Sequence, residues 1–163
     1  MKILVTGAKG FVGKNLVESL KNIKNGKNKT RPNLSISEIY EYDIDNTLTD
    51  LDSFTAKADF VFNLAGVNRP QNQEDFMKGN FGFASDLLNG LKKPGNKCTV
   101  MLSSSIQATL IGRYAEGEYG KSKKAGEEFL IASKVWIDEM GYENTKAAVE
   151  RSLSRLQMDY LDY

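Results

Sequence analysis

Short apolar runs punctuate the chain at residues 2–6, 38–43, 59–64 and 98–103. Each has strand length, is rich in Val, Ile, Phe or Tyr, and is bounded by Gly, Asn, Asp or Ser, so each predicts a β-strand. Between them apolar residues recur at helical spacing. One pattern runs from Phe11 through Val12, Leu16, Val17 and Leu20. Another holds Phe76, Phe83, Leu87, Leu88 and Leu91 and stops at Lys92-Lys93-Pro94-Gly95, where proline and glycine end a helix. Strands alternating with helices predict parallel βαβ units, hence an α/β protein with a doubly wound parallel sheet. Past residue 128 the pattern loses definition. Apolar residues at 129–131 and 135–137 suit either a strand over 129–134 or a continuing helix. Residues 143–157 read as helical, with Ala147, Ala148, Leu153 and Leu156 on related faces, and 160–163 suit a last strand. At 163 residues the length suits one domain, here an α/β domain followed by a short βα(β) or helical tail.

Composition narrows the chemistry. The 163 residues include no histidine and one cysteine, Cys98. That excludes Ser-His-Asp and Cys-His machinery and a His-ligated metal, and no metal site is expected. A lone cysteine forms no internal disulfide or CxxC pair, which suits a reducing cytoplasm. No apolar run approaches the roughly 18 residues of a membrane helix, so no membrane partner is expected. The formal charge is +1 overall, but it is unevenly spread. Residues 1–34 carry eight Lys/Arg against one acid, and residues 35–66 carry seven acids against one Lys. The basic block ends in an Asn- and Gly-rich stretch over 21–32 without interleaved aromatics, which reads as a helix end and solvated loop rather than a nucleic-acid patch.

The sharpest motif follows the first strand. Thr6-Gly7-Ala8-Lys9-Gly10-Phe11-Val12-Gly13 sits where a strand turns into a helix. There Gly7 permits the tight turn, Gly10 lets the backbone approach a pyrophosphate, and Gly13 lets helix and strand pack closely. The helix N-terminus, with Phe11 and Val12 in its first turn, then offers N–H groups and partial positive charge to phosphates. This placement predicts a Rossmann-type site for NAD or NADP. The expected acid is Asp43, closing the second strand 30 residues beyond Gly13, the basic loop accounting for the extra distance. An acid there accepts hydrogen bonds from the adenosine ribose and repels a 2′-phosphate, favouring NAD. A solvated strand-end aspartate is the plain alternative, and Lys9 or Lys14 could still hold a phosphate.

Tyr119-Gly120-Lys121-Ser122-Lys123 places Tyr and Lys four residues apart, on one face if a helix starts there. A nearby ammonium stabilises a phenolate, which suits tyrosine to proton transfer, and the same lysine can hold a nicotinamide ribose. Such spacing alone also fits a surface pair. The fourth strand runs into Ser103-Ser104-Ser105 at the carboxyl edge, where ligands bind in such sheets.

Together these motifs resemble the extended short-chain dehydrogenases/reductases, the NAD-dependent epimerase/dehydratase family acting on nucleotide sugars. TGAKGFVG is similar to their glycine motif, Asn63-Leu64-Ala65-Gly66 to their post-strand motif, and YGKSK to their catalytic helix start; Asn80 falls where they keep a structural asparagine. Residues 65–70 and 102–109 resemble a branch that reduces a UDP-4-keto-6-deoxy amino sugar in capsular polysaccharide synthesis. The resemblance covers about residues 1–128. It implies Tyr119 as proton donor to the keto oxygen, Lys123 as its partner, Ser105 as carbonyl hydrogen-bonder, and Leu64, Ala65 and Gly66 beside the cofactor. It also implies a UDP-sugar substrate. Asn68 and Arg69 could face that substrate, or form a plain loop. The branch is associated with NADPH, against which Asp43 weighs.

From about residue 127 the chain resembles instead an early βαβ stretch of the aldo-keto reductases, with Lys134 at their catalytic lysine. That family's Asp, Tyr and His partners have no counterpart here. The two resemblances imply a chimera of two truncated genes, its first part lacking the substrate lobe. The expected function is an NAD(P)-dependent nucleotide-sugar oxidoreductase or epimerase; the alternative is a dinucleotide-binding fragment without turnover. An uncovered sheet edge and Trp136 would favour a homodimer or higher oligomer.

Overall fold

A computed structural model describes residues 1–109 and 117–127 of the chain. The four expected strands form as β1 (Lys2–Thr6), β2 (Glu38–Tyr42), β3 (Phe60–Asn63) and β4 (Thr99–Leu102). They pair in parallel, in the order β2-β1-β3-β4. The register sets Thr6 beside both Tyr42 and Asn63, and Asn63 beside Leu102, so the carboxyl ends share one edge. The chain winds outward from β1 to β2 and then crosses to the other side of β1. Open parallel sheets bind ligands in the crevice beyond the carboxyl ends at such a reversal.

Helices cover both faces of this α/β sheet. On one face α1 (Phe11–Lys24) packs Val17 and Leu20 with Ile3 and Val5. On the other, α2 (Leu48–Thr55) and α4 (Phe83–Lys92) bring Leu51, Leu87 and Leu91 against Leu4 and Val61. Neighbouring residues of β1 thus serve opposite faces, as the two-residue period of a strand requires. A central strand buried on both sides reads as a continuous apolar run, which is what residues 2–6 are. Each fully buried Leu or Val contributes about 1.5–3 kcal/mol.

Three strands end one residue short of the expected bounds, leaving Asp43, Leu64 and Ser103 just outside the sheet. At β2 the cause is a tight turn. The Asp43 N–H donates to Asn46 Oδ1 at 2.9 Å, and the Asn46 N–H returns to the Asp43 carbonyl at 2.9 Å. The second helical pattern becomes one path from α3 (Glu74–Phe76) through a wider, π-helical turn at Met77–Gly82 into α4, which ends before Pro94 as expected.

α2 was not among the helices expected from periodicity. Its signal is local: Thr47 Oγ1 accepts from the Asp50 N–H at 3.2 Å while the Asp50 carboxylate accepts from the Thr47 N–H at 2.8 Å. This reciprocal cap satisfies two orphan donors of the first turn. Thr47→Ala is expected to destabilise the protein by about 1 kcal/mol, seen as a lower urea midpoint at unchanged m-value.

The basic and acidic blocks meet across β1, β2 and α1, through Lys2–Glu38 at 3.7 Å, Lys21–Glu41 at 2.8 Å and Lys9–Asp45. The last helix described is α5 (Glu118–Glu127). No described helix is long and apolar enough to cross a membrane. The elements expected over 129–134, 143–157 and 160–163, together with Lys134 and Trp136, lie outside the described residues.

Candidate functional site

The loops leaving β1 and β3 meet at the switch point. Gly7 has φ +67°, a conformation costly for residues with a Cβ, and a Cβ there would stand 2.8 Å from the Ala65 nitrogen. Beneath it the buried Thr6 hydroxyl donates to Asn63 Oδ1 at 2.7 Å and accepts from the Ala65 N–H at 3.3 Å. A Cβ on Gly13 would overlap the Gly7 carbonyl oxygen outright and reach within 2.8 Å of Ala8 Cα, so only glycine lets α1 begin this close to the turn. The Gly10 N–H closes on the Gly7 carbonyl at 3.1 Å, and the Lys14 N–H donates to the Gly10 carbonyl at 2.9 Å. The N–H groups of residues 11–13 lie ahead of that first helical bond, and Gly10 offers no side chain to cap them. Phe11 and Val12 stand 87% and 61% exposed around this opening.

Asp43 lies beside the glycine loop. Its carboxylate accepts the Lys9 N–H at 2.6 Å on one oxygen and the Ile44 N–H at 2.8 Å on the other. A carboxylate has about four acceptor positions, so two remain for a ligand. The Lys9 ammonium is paired with Asp45; that hydrogen bond, more than the surrounding charge, raises the lysine's pKa and lowers the aspartate's.

On the other side of the crevice α5 brings Lys123 under the loops. Its ammonium donates to the Ser103 carbonyl at 3.1 Å and lies 5.9 Å from the centroid of the Tyr119 ring. A Cβ on Gly66 would come within 2.9 Å of the Lys123 nitrogen. The residue is only 8% exposed, and burial pushes its pKa down, opposed by the charge of Glu127. Tyr119 packs edge-on against Phe76, ring centroids 5.6 Å apart. The buried Ser122 hydroxyl accepts from Asn80 Nδ2 at 2.9 Å and donates to the Tyr119 carbonyl at 2.8 Å. Asn80 also takes the Val67 N–H at 2.8 Å and gives to the Val67 carbonyl at 3.1 Å. One buried amide therefore ties α5 to the loop after β3.

The three serines have different partners. The Ser103 carbonyl receives Lys123, the Ser104 hydroxyl donates to Glu127, and the Ser105 hydroxyl accepts the Gln107 N–H at 3.2 Å. Ser105 thereby heads the 3-10 turn Ile106–Thr109, and that bond leaves its proton to be given elsewhere. A Cβ on Gly120 would stand 2.6 Å from the Gln107 carbonyl, so this turn and α5 touch. Tyr119, Lys123 and Gly66 are thus assembled directly, and Ser105 joins them through that contact. Leu64 and Ala65 border the glycine loop, and Asn68 and Arg69 are exposed beyond them. Sequence reasoning passed over Thr6, Asp45, Phe76 and Ser122. Two had a signal, Thr6 inside TGAKGFVG and Ser122 inside YGKSK.

The residues present fit a dinucleotide: a tight glycine turn with no room for a Cβ at Gly7 or Gly13, uncapped amides at a helix start, an acid beside them and a buried ammonium opposite. The comparison with known families agrees. The sequence profile of the NAD dependent epimerase/dehydratase family matches residues 3–163. The chain belongs to that family. Membership assigns it a nicotinamide dinucleotide as cofactor, on a Rossmann-type fold. Among curated relatives, a UDP-2-acetamido-2,6-beta-L-arabino-hexul-4-ose reductase of Pseudomonas aeruginosa is 36% identical over 130 residues, 80% of this chain and 31% of its own length. A glyoxal reductase of Bacillus subtilis is 49% identical over 61 residues, 36% of this chain and 22% of its own length. Among solved structures, the capsular polysaccharide assembling protein CapF of Staphylococcus aureus is 38% identical with a TM-score of 0.57, over 79% of this chain and 31% of that one. The chain thus spans about a third of the length of the reductase and CapF it matches.

Proposed function

We propose that this chain carries the dinucleotide-binding and proton-transfer machinery of a nucleotide-sugar oxidoreductase, reducing the keto group of a UDP-4-keto-6-deoxy amino sugar as in capsular polysaccharide synthesis. The observation that carries this reading is the buried Lys123 ammonium, held by the Ser103 carbonyl against Gly66 and the Tyr119 ring. The names of its reductase and CapF relatives support the substrate class.

In this reading the amides of residues 11–13 hold the pyrophosphate, Asp43 the adenosine ribose and Lys123 the nicotinamide ribose. A reduced nicotinamide, when bound, supplies the hydride. Tyr119 gives its phenolic proton to the sugar's keto oxygen, and the Lys123 ammonium stabilises the phenolate left behind. Ser105 donates a hydrogen bond to the same oxygen as charge builds on it. Asn68 and Arg69 face the nucleotide diphosphate, a fork-shaped cation suiting phosphate oxygens. Asp43 makes NAD the preferred form, because a 2′-phosphate would meet its carboxylate. The reading includes a second family's segment over 129–163; a glyoxal reductase resembles 61 residues of the chain, while the epimerase/dehydratase profile runs on to residue 163.

Fluorescence titration with NADH and NADPH tests the cofactor half; NADH is expected to bind more tightly. Adding a UDP-4-keto sugar generated in situ by a dehydratase should then oxidise the bound NADH. Binding of neither nucleotide at millimolar concentration overturns the reading. Binding without oxidation would mark a dinucleotide-binding module instead.

A further inference from the structure

We propose that Asp45 sets cofactor specificity: by pairing with the Lys9 ammonium it neutralises the glycine loop's one cation beside the adenosine ribose and turns the chain away from NADP. This rests on the dinucleotide reading above.

Lys9 is bound at both ends by the β2–α2 turn. Its backbone N–H donates to Asp43 at 2.6 Å, and its side chain pairs with Asp45. The turn that carries both acids is itself fixed, since Asp43 and Asn46 exchange two hydrogen bonds of 2.9 Å. One carboxylate therefore pairs with the ammonium and a second binds the backbone of the same lysine, beside the position of the adenosine ribose. A 2′-phosphate brings a charge of about −2 into that cluster. It must displace Asp45 to gain Lys9, and it still meets Asp43. A ribose with a free 2′-hydroxyl meets neither obstacle, because it needs only the open acceptor positions of Asp43.

The pair is solvent-exposed, 62% and 58% at the two side chains, so it holds little of the fold together. Asp45 acts through the charge and availability of Lys9. Replacing it by asparagine leaves Asp43 in place and frees Lys9 for the phosphate. An ammonium freed to face a dianion at close range, in surroundings close to water, is worth about tenfold in affinity.

The test compares Kd values for NADPH and NADH by fluorescence in the wild-type chain, in Asp45→Asn, and in Asp45→Asn combined with Lys9→Met, with urea midpoints to verify folding. The ratio of NADPH to NADH affinity is expected to rise about tenfold in the single variant and to return towards wild type in the double variant. The gain should also shrink as salt is raised from 0.05 to roughly 0.5 M, as screening requires. An unchanged ratio in Asp45→Asn, with NADH still bound, overturns the proposal alone. A gain that survives loss of Lys9 overturns it equally, since the lysine would then play no part. Failure of the wild-type chain to bind either nucleotide overturns the dinucleotide reading, and this proposal with it.

Discussion

Gly13→Ala is expected to abolish nucleotide binding and to destabilise the protein by about 3 kcal/mol, the upper end of the usual overpacking range. The added methyl would occupy the volume of the Gly7 carbonyl oxygen and press on Ala8 Cα, both backbone atoms that cannot rotate aside. Relief requires α1 to back away from the end of β1. That movement separates Val17 and Leu20 from Ile3 and Val5, and it carries the amides of residues 11–13 away from the loop. Stability and binding should therefore fall together, read by urea unfolding and NADH fluorescence. Gly26→Ala supplies the contrast. Gly26 has φ +69° but open space around its α-carbon, so that variant should lose about 1 kcal/mol and keep its nucleotide affinity. Equal losses of binding in both variants would contradict the proposed place of the pyrophosphate.

Lys123→Met should cut turnover of a UDP-4-keto sugar by about 10²–10⁴, the range of general acid–base catalysis, and yet fold at least as well as the wild-type chain. The stem that packs beneath Gly66 is retained; the buried charge, whose desolvation opposes folding, is removed. The pH dependence carries the same sign. Because the folded-state pKa of Lys123 lies below its unfolded value of 10.5, the unfolded chain binds more protons between the two. Wild-type stability should therefore rise relative to Lys123→Met as pH climbs through that window. Urea midpoints followed up to pH 10.5 for both proteins measure it, and a stability difference independent of pH up to that point would contradict a desolvated ammonium. Tyr119→Phe completes the series. It should stop turnover while NADH affinity stays nearly constant, whereas Lys123→Met should weaken both.

The parts of the fold that could be read in advance are those with a local code. Residues 2–6 and 59–64 announce buried strands by apolar run, and Gly7, Gly10 and Gly13 announce the turn by the volume a side chain would need. Strand order has no such code, since an apolar run identifies a strand without naming its neighbours. The reversal between β1 and β3, which places the crevice, therefore emerged only in three dimensions. α2 hid for another reason. Thr47 and Asp50 carried its signature, but eight residues are too few for periodicity to stand out. Among site residues, Tyr119 and Lys123 were legible because one helix carries both. Asp45 was not, because its partner Lys9 lies 36 positions away and only the β2–α2 turn brings them together. Ser122 and Asn80, 42 positions apart, were joined in the same way by packing alone.

The wide turn at Met77–Gly82 explains how one continuous helical path answers to two partners. Ahead of it Phe76 must meet Tyr119; within it Asn80 must reach Val67 and Ser122; beyond it Ala84, Leu87 and Leu91 must face the sheet. An ordinary helix advances about 100° per residue and offers a single set of bearings. The wider turn absorbs one residue and resets the bearing between the amide that ties the site and the leucines that anchor the core. Forcing the same residues into a regular helix would swing one set off target by about 100°, so the wide turn, rather than any one side chain, keeps both partners within reach.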